Sequence, residues 1–447
     1  MSERPTGGEV QMPISRRMLL VYALPAMPLA ALGLPLYSLV PTYYTEILGL
    51  PIAAVGWALL LVRMFDAVSD PLVGYAADRI RPDFGRRRLL FLISLPVAAV
   101  SAFMLYWPPA DVGIGWLTFW GMLVSLGFTL AIVPYSAWGA ELVADYHGRT
   151  RLTATREGLT LVGTLIAIVL PFAIGFEQKG FSGLAVLGLV VAVLLPAFGY
   201  LTVWRVPEPE DVTRTPLSLA AALSQLARNQ PFLRLIVAFF LNGLANGIPA
   251  TLFLYFVSAR LQLPDMRGPL MFLYFLSAIA GVPLAAVAAK RLGKHRAWAI
   301  AMLAACAIFA AAPLLSAGAL IPFALICAAT GLLLGFDLAI PPSIQADVID
   351  TDTAVSGDQR SGFYFAAWGL ATKLSLALGV GIVFPLLGFF DFEPASGSQN
   401  NAAALFALAV IYAWIPIVLK LSAITLMWNF PLAEDTQKQL RARIRQS

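Results

Sequence analysis

Two carboxylates and one arginine lie within a largely apolar stretch of the chain, VRMFDAVSDPLVGYA at residues 62–76. Arg63, Asp66 and Asp70 occupy positions i, i+3 and i+7, a spacing that puts all three on one face of a helix. Two carboxylates one turn apart suit a small monovalent cation or a shared proton. The alternative is that Arg63 only neutralises the acids in a static interior, but two acids and one base leave a charge that needs a partner. The pattern therefore predicts a cation-binding site.

The elements that position these residues must be membrane helices. Of the 447 residues, 59% are hydrophobic and 12% are charged, with a mean hydropathy of +0.79. In a soluble domain about a quarter of the residues are charged. Twelve apolar stretches reach the roughly 20 residues that cross a bilayer. We predict an all-α membrane protein with twelve transmembrane helices, multi-pass in the plasma membrane and, in a bacterium, in the inner membrane.

The orientation follows from the distribution of Lys and Arg. Basic residues cluster in alternate loops, at 79–88, 149–151 and 290–296, and in both terminal segments, whereas the opposite loops are nearly free of them. Positive charge stays on the cytoplasmic side. Both termini are therefore expected to be cytoplasmic.

The chain contains an internal repeat. LGFTLAIVPYS (126–136) and LGFDLAIPPSI (334–344) agree at seven of eleven positions, and the same shift of 208 carries FGRRR (84–88) onto LGKHR (292–296). Two six-helix halves around a central cavity are the architecture that alternating access requires. The expected division is an N-terminal half at 1–204, a cytoplasmic linker at 205–230, a C-terminal half at 231–430 and a basic cytoplasmic tail at 431–447.

Three motifs resemble one transporter family. These are DAVSDP (66–71) with the following GYAADR and FGRRR, then VPYSAWGAEL (133–142), and finally Lys373 alone in its apolar helix. Their types and order are similar to those of the glycoside–pentoside–hexuronide:cation symporters, the melibiose-permease-like branch of the major facilitator superfamily. The resemblance implies a secondary active transporter for sugars, driven by Na⁺ or H⁺.

The resemblance also implies roles for individual residues. Asp66, Asp70 and Thr129 match cation ligands of the family, so a Na⁺ site at the two acids is the one metal site it suggests. Arg156 and Lys373 match basic residues that line the substrate cavity.

The sequence departs from the family at two substrate-binding acids. One of them falls on Ile132 and the other near Ala30. Without these carboxylates a neutral galactoside is a poor candidate substrate.

The basic residues of the cavity leave two interpretations open. Arg156 and Lys373 without acidic partners favour an anionic substrate such as a hexuronide or another acidic glycoside. Alternatively, Lys373 pairs with Asp66 or Asp70 while the cation site is empty, and the substrate is neutral. Asp337, the repeat partner of Thr129, is either a cavity residue or an ion-pair partner of Lys373.

Two further groups of candidate functional residues are aromatic side chains and charged side chains. Tyr135 and Trp368 can stack on a sugar face. A gating or charge-balancing role is expected for one set of charged residues: Arg63, Arg79, Glu141, Asp145 and Arg149.

Other functional classes find less support in the sequence. HExxH, GxSxG and paired membrane histidines do not occur, so we expect no enzyme. A lysolipid or other amphiphile carrier of the same fold is the alternative function, favoured by the apolar Ile132. We expect no cofactor beyond the coupling ion, no nucleic-acid partner, and a monomer with a small-molecule substrate in a lipid bilayer. The exact substrate, Na⁺ or H⁺ coupling and the direction of transport stay open.

Overall fold

The computed structural model describes residues 15–79, 85–109, 111–142, 146–176, 181–207, 229–356, 361–394 and 399–431. Within these ranges the secondary structure is helical, and twelve spans are long and apolar enough to cross a membrane. The predicted all-α fold with twelve transmembrane helices is confirmed.

The spans are named α1 to α12 in chain order. They comprise α1 (Arg16–Ala23 and Ala26–Tyr37, continued by Leu39–Thr42 and the π-helical Tyr43–Ile47), α2 (Ile52–Arg79), α3 (Arg86–Tyr106), α4 (Ile114–Leu142), α5 (Tyr146–Ile174), α6 (Gly183–Arg205), α7 (Gln230–Tyr255, continued by the π-helical Phe256–Arg260), α8 (Arg267–Leu292, preceded by the 3₁₀ turn Pro264–Met266), α9 (Lys294–Phe309, followed by the 3₁₀ turn Ala312–Leu314), α10 (Leu320–Ser356), α11 (Ser361–Phe389) and α12 (Ala402–Ala409, the π-helical Val410–Trp414 and Ile415–Trp428).

Helices form because a bilayer interior offers no water to backbone N–H and C=O groups, which must pair within each span. Polar side chains cap several starts. The side-chain oxygens of Ser182, Asn229 and Asn401 accept backbone N–H groups at the first turns of α6, α7 and α12, as N-cap residues do. The first span was expected as one helix, but it is interrupted before Ala26 because Pro25 lacks the N–H donor that would continue the ladder.

The helices pack in a pattern that follows the repeat. In the first half α2 lies against α4 and α3 against α6, and in the second half the corresponding helices α8 and α10, and α9 and α12, are in contact. The halves meet where α2 packs on α11 and where α5 packs on α8. Because α8 corresponds to α2 and α11 to α5, these two interfaces are equivalent under the repeat. The linker and the tail stay predictions, because 208–228 and 432–447 lie outside the described residues, and the exact bounds of the halves and the cytoplasmic termini stay predictions as well.

The halves also meet at the ends of α1, α7 and α8, on the side predicted to be extracellular. Glu46 and Arg267 form an ion pair of 2.9 Å with side chains only 1% and 2% exposed. The hydroxyls of Thr45 and Tyr255 lie 2.6 Å apart. Burying two ions costs several kcal/mol of desolvation per ion, which their attraction offsets only when the geometry is good. The ion pair and the hydroxyl contact join the two halves on this side of the molecule.

Close approach of α8 and α10 depends on glycine. A Cβ at Gly281 would lie 1.9 Å from the carbonyl oxygen of Leu332, and one at Gly335 would lie 2.5 Å from the backbone of Gly281. Small residues at a helix interface allow such contact between membrane helices. The close packing of α8 on α10 therefore fixes the position of α10, the helix that carries Asp337.

The substitution Gly281→Ala is expected to destabilise the protein by about 1–3 kcal/mol, because the added methyl group must displace backbone. The melting temperature of the detergent-solubilised protein measures this. The matched control is Gly369→Ala in α11, where a Cβ meets nothing within 4 Å and the melting temperature should stay the same or rise. Equal melting temperatures for Gly281→Ala and the native protein would contradict the packing argument.

Candidate functional site

The two carboxylates of α2 face a hydroxyl on α4. The Oγ1 of Thr129 donates to Oδ1 of Asp70 over 2.6 Å and lies 3.3 Å from Oδ1 of Asp66. Asp66 and Thr129 are buried, whereas the side chain of Asp70 is 30% exposed. The structure thus brings together the three residues predicted as cation ligands, one turn apart on α2 and opposite α4.

Lys373 of α11 reaches across the interface between the halves to the same carboxylates. Its Nζ donates to Oδ1 of Asp66 over 3.0 Å and also contacts Oδ2 of Asp70. Arg63 adds a looser contact of 3.6 Å with Oδ2 of Asp66. Two acids are therefore matched by two bases, and the pairing of Lys373 with Asp66 and Asp70 is the one that the alternative interpretation of the sequence named. An ammonium occupies the place between the carboxylates where a cation would bind.

The cluster is partly exposed on one side. The Lys373 side chain is 20% exposed and that of Asp70 is 30% exposed, while Asp66 lies behind them at 3%. A group that exchanges ions needs such a partly open face. Asp70 and Lys373 therefore form the entrance of the cluster and Asp66 its closed end.

Arg156 has a partner that the sequence analysis did not consider. Its guanidinium pairs with the neighbouring Glu157 at 2.8 Å, and the two side chains are 26% and 54% exposed. An ion pair with this exposure is weak, so Arg156 is balanced in charge but still able to reach another group.

Tyr135 is not placed to bind substrate, so this prediction is wrong. Its ring is fully buried and stacks between Tyr22 and Phe91, with centroid distances of 4.7 and 5.4 Å. The Tyr135 hydroxyl donates to the carbonyl of Tyr22, and the Tyr22 hydroxyl donates to that of Tyr135. The residue instead fastens α4 to α1, because its ring and hydroxyl are both satisfied within the first half.

Trp368 lies on α11 and is partly buried. Its ring stacks on Phe239 of α7 with a centroid distance of 3.7 Å. One face of the indole is therefore used in packing α11 against α7. Its contact with a sugar stays a prediction.

Asp337 belongs to a second charged cluster. Its Oδ1 accepts from Trp298 over 2.7 Å, and its Oδ2 accepts from Asn246 over 2.9 Å and from Lys420 over 3.3 Å. Lys420 also donates to Asn242 over 2.6 Å. The ion-pair partner of Asp337 is thus Lys420 of α12, and the interpretation that pairs Asp337 with Lys373 is wrong because Lys373 is held by α2.

Lys420, Asn242, Asn246 and Trp298 were missed in the sequence. The signal for Lys420 was present, since it is a lysine within an apolar helix in the same way as Lys373. The asparagines and the tryptophan give no comparable signal, because neutral polar residues are common in membrane helices.

The predicted gating residues are described only in part. Asp145 lies outside the described residues. Arg79, Glu141 and Arg149 lie in the described helices α2, α4 and α5, but their side chains lie outside the described part. Their gating roles stay predictions, as does the charge-balancing role of Arg63 during transport.

Comparison with known proteins identifies the family. The family described as "MFS/sugar transport protein" matches residues 21–434. The chain belongs to this family. It is 26% identical over 422 residues to the inner membrane symporter YicJ of Escherichia coli (strain K12), covering 90% of this chain and 89% of that protein. It is 23% identical over 421 residues to the glucuronide carrier protein homolog of the same organism, covering 90% of each.

Solved structures agree on the fold. The crystal structure of the D-xylose–proton symporter superposes with a TM-score of 0.66 at 15% identity, covering 94% of this chain and 98% of that one. The predicted major facilitator fold and the resemblance to glycoside–pentoside–hexuronide:cation symporters are confirmed. The chain is a multi-pass plasma-membrane transporter of small molecules.

Replacing Lys373 by Met should leave Asp66 and Asp70 with an uncompensated buried charge, a loss of about 3–5 kcal/mol. We expect a lower melting temperature that recovers on addition of Na⁺ or on acidification, because either cation replaces the missing ammonium.

The matched control is Lys294→Met, since Lys294 also forms an ion pair, with Asp347, but with 35% of its side chain exposed. Its melting temperature should show no gain on addition of Na⁺, because the single carboxylate of Asp347 offers no pair of acids between which the ion can bind. A Lys373→Met protein that responds to neither Na⁺ nor protons more than the native protein would contradict the assignment of the cation site.

Proposed function

We propose that the chain is a cation-coupled symporter of a sugar or glycoside, in which the coupling cation and Lys373 compete for Asp66 and Asp70. The observation that carries the proposal is the ammonium of Lys373 lying between the two carboxylates, 3.0 Å from Asp66. Since Lys373 belongs to α11 and the acids to α2, this contact joins the two halves.

Competition for the carboxylates supplies a coupling mechanism. In the ion-free state Lys373 and Arg63 neutralise Asp66 and Asp70. When Na⁺ binds between the carboxylates, or a proton binds to one of them, the ammonium loses its place. The α2–α11 contact then weakens and Lys373 becomes free to meet substrate. A cation that binds one arrangement of the halves better than the other shifts their equilibrium by that difference in affinity.

The charge balance favours an uncharged substrate. Lys373 and Arg63 are matched by two acids, Arg156 by Glu157 and Lys420 by Asp337. The argument for an anion required cations without partners, and the described charged groups named here leave none. The acidic glycoside remains the second candidate, since cation binding at Asp66 and Asp70 releases one positive charge.

The remaining expectations belong to this proposal. All groups invoked come from one chain, so a monomer suffices. Transport requires no cofactor beyond the coupling ion and no catalytic step. The amphiphile carrier is the rival, and uptake of lysolipid by proteoliposomes in place of any glycoside would favour it.

Asp70→Asn should abolish cation-driven accumulation of glycosides while exchange without a gradient persists. The reason is that an amide cannot bind Na⁺ as a carboxylate does and cannot carry a transferable proton at neutral pH. We expect accumulation in proteoliposomes to fall by at least about tenfold, the equivalent of roughly 1.4 kcal/mol of coupling. Imposed Na⁺ and pH gradients, applied separately, identify the coupling ion.

Asp347→Asn is the matched control. Asp347 is also a buried acid paired with a lysine, but it lies on α10 and is not part of the Asp66–Asp70 cluster on α2. Accumulation by this variant should stay close to that of the native protein. Full accumulation by Asp70→Asn under either gradient would refute the coupling role.

A further inference from the structure

A cavity in the second half lies beside the Asp337 cluster. Its wall is built from α7, α8, α9, α10 and α12, with one side supplied by α1 of the first half. Most of the wall is apolar or aromatic, and polar groups gather at one end, where Asn246, Asp337 and Lys420 line it. A concave apolar site with a few convergent polar groups is the usual form of a small-molecule site.

The polar end offers a donor and an acceptor side by side. Lys420 makes its short contact, 2.6 Å, with Asn242 and only a long one, 3.3 Å, with Asp337. Asp337 retains Trp298 and Asn246 as donors when Lys420 turns away. A hydroxyl group can therefore insert between the pair, accepting from Lys420 and donating to Asp337, without leaving either charge unsatisfied. Hydrogen bonds to charged groups contribute about 1.5–3 kcal/mol each.

The net charge of this end defines the ligand. One lysine and one aspartate sum to zero, so the pair offers neither an anion nor a cation a net attraction that would offset the loss of its hydration. A lipid chain would contact the apolar wall but would make no hydrogen bond with Lys420 or Asp337. An uncharged molecule with adjacent hydroxyls satisfies both.

The internal repeat relates this cavity to the cation site. The shift of 208 carries Thr129 onto Asp337 and Asp66 onto Tyr274. Tyr274 of α8 and Asp337 of α10 line the same cavity, whereas Asp66 of α2 and Thr129 of α4 contact each other in the cation cluster. The same pair of repeat positions thus holds a cation site in one half and a polar cavity in the other.

Tyr37 of α1, which belongs to the first half, also lines the cavity. The cavity therefore touches both halves, so a change in how the halves meet can alter its shape.

We propose that the cavity of the second half binds the sugar ring of an uncharged glycoside, with adjacent ring hydroxyls on Asp337, Lys420 and Asn246 and the ring face against the tyrosines. The inference rests on the proposed function and adds the site and the charge class of the substrate. The volume of the cavity that the centres of water molecules can occupy is about 90 Å³. One water needs about 10–15 Å³ on this scale, so about six to nine waters fit, which suits a single sugar ring.

The chain carries its own reporters of occupancy. Its two cysteines, Cys306 and Cys327, both line this cavity. A bound ligand should slow their alkylation by iodoacetamide, measured by mass spectrometry on the detergent-solubilised full chain. The probes are the methyl glycosides of glucose, galactose and xylose, with methyl glucuronide as the anionic member and a lysophosphatidylcholine as the amphiphile. Melting temperatures with the same probes measure binding independently of the cysteines.

We expect at least one uncharged glycoside to raise the melting temperature and to slow alkylation, and methyl glucuronide to do neither. The paired variant Asp337→Asn with Lys420→Met keeps the site neutral, and Asn246→Ala removes a neutral donor. Both should weaken the protection by about tenfold or more. The paired variant Lys294→Met with Asp347→Asn removes an ion pair elsewhere in the same half and should keep protection within about twofold.

Three results would overturn the inference, and they differ in what they say of the function. A glycoside that stabilises the protein without slowing alkylation places the sugar elsewhere and leaves the proposed function intact. Protection that persists in both cavity variants also places the sugar elsewhere and leaves the proposed function intact. If no glycoside binds, or only the lysophospholipid protects, then both the inference and the sugar-transport proposal fail.

Discussion

A bilayer core has no water with which to solvate charge, and this constraint governs the centre of the molecule. Asp66 and Asp70 are kept there by groups that the protein must supply itself. Arg63 comes from the same helix, but Lys373 comes from the opposite half. The electrostatic requirement of one half is therefore met by the other, so that the charge balance of the site and the arrangement of the halves depend on the same contact.

The two charged clusters follow one rule with different outcomes. At Asp66 and Asp70 the matching base lies across the interface, so any cation that takes its place changes how the halves meet. At Asp337 the base is Lys420 of the same half, so occupying that cluster breaks no ion pair between the halves. The first arrangement suits coupling and the second suits binding. Glu46 and Arg267 form a third buried pair, which also joins the halves.

The role of Thr129 was implied by the resemblance to the symporter family. Residue type and spacing were sufficient to predict the twelve spans and the two carboxylates of α2. Each of these is a local signal, either an apolar run or a fixed spacing on one helix. The partners of the charges could not be assigned in this way, because a charged group inside a membrane indicates that a partner exists without naming it. Lys373 had two candidate roles and Asp337 had two, and only the packing of α2 on α11 and of α10 near α12 distinguishes them. The prediction for Tyr135 was wrong for a related reason, because the sequence does not tell whether an aromatic residue near a site faces the cavity or the packed interior.

The central claim is that a cation and the Lys373 ammonium exclude each other at Asp66 and Asp70. An experimental structure of the protein in saturating coupling ion tests it most directly. The account predicts density for Na⁺ between the carboxylates, or a protonated carboxyl at acidic pH, with the Lys373 Nζ beyond the roughly 4 Å limit of an ion pair from both acids. A structure in which the cation is bound and Lys373 still bridges the two carboxylates would contradict it.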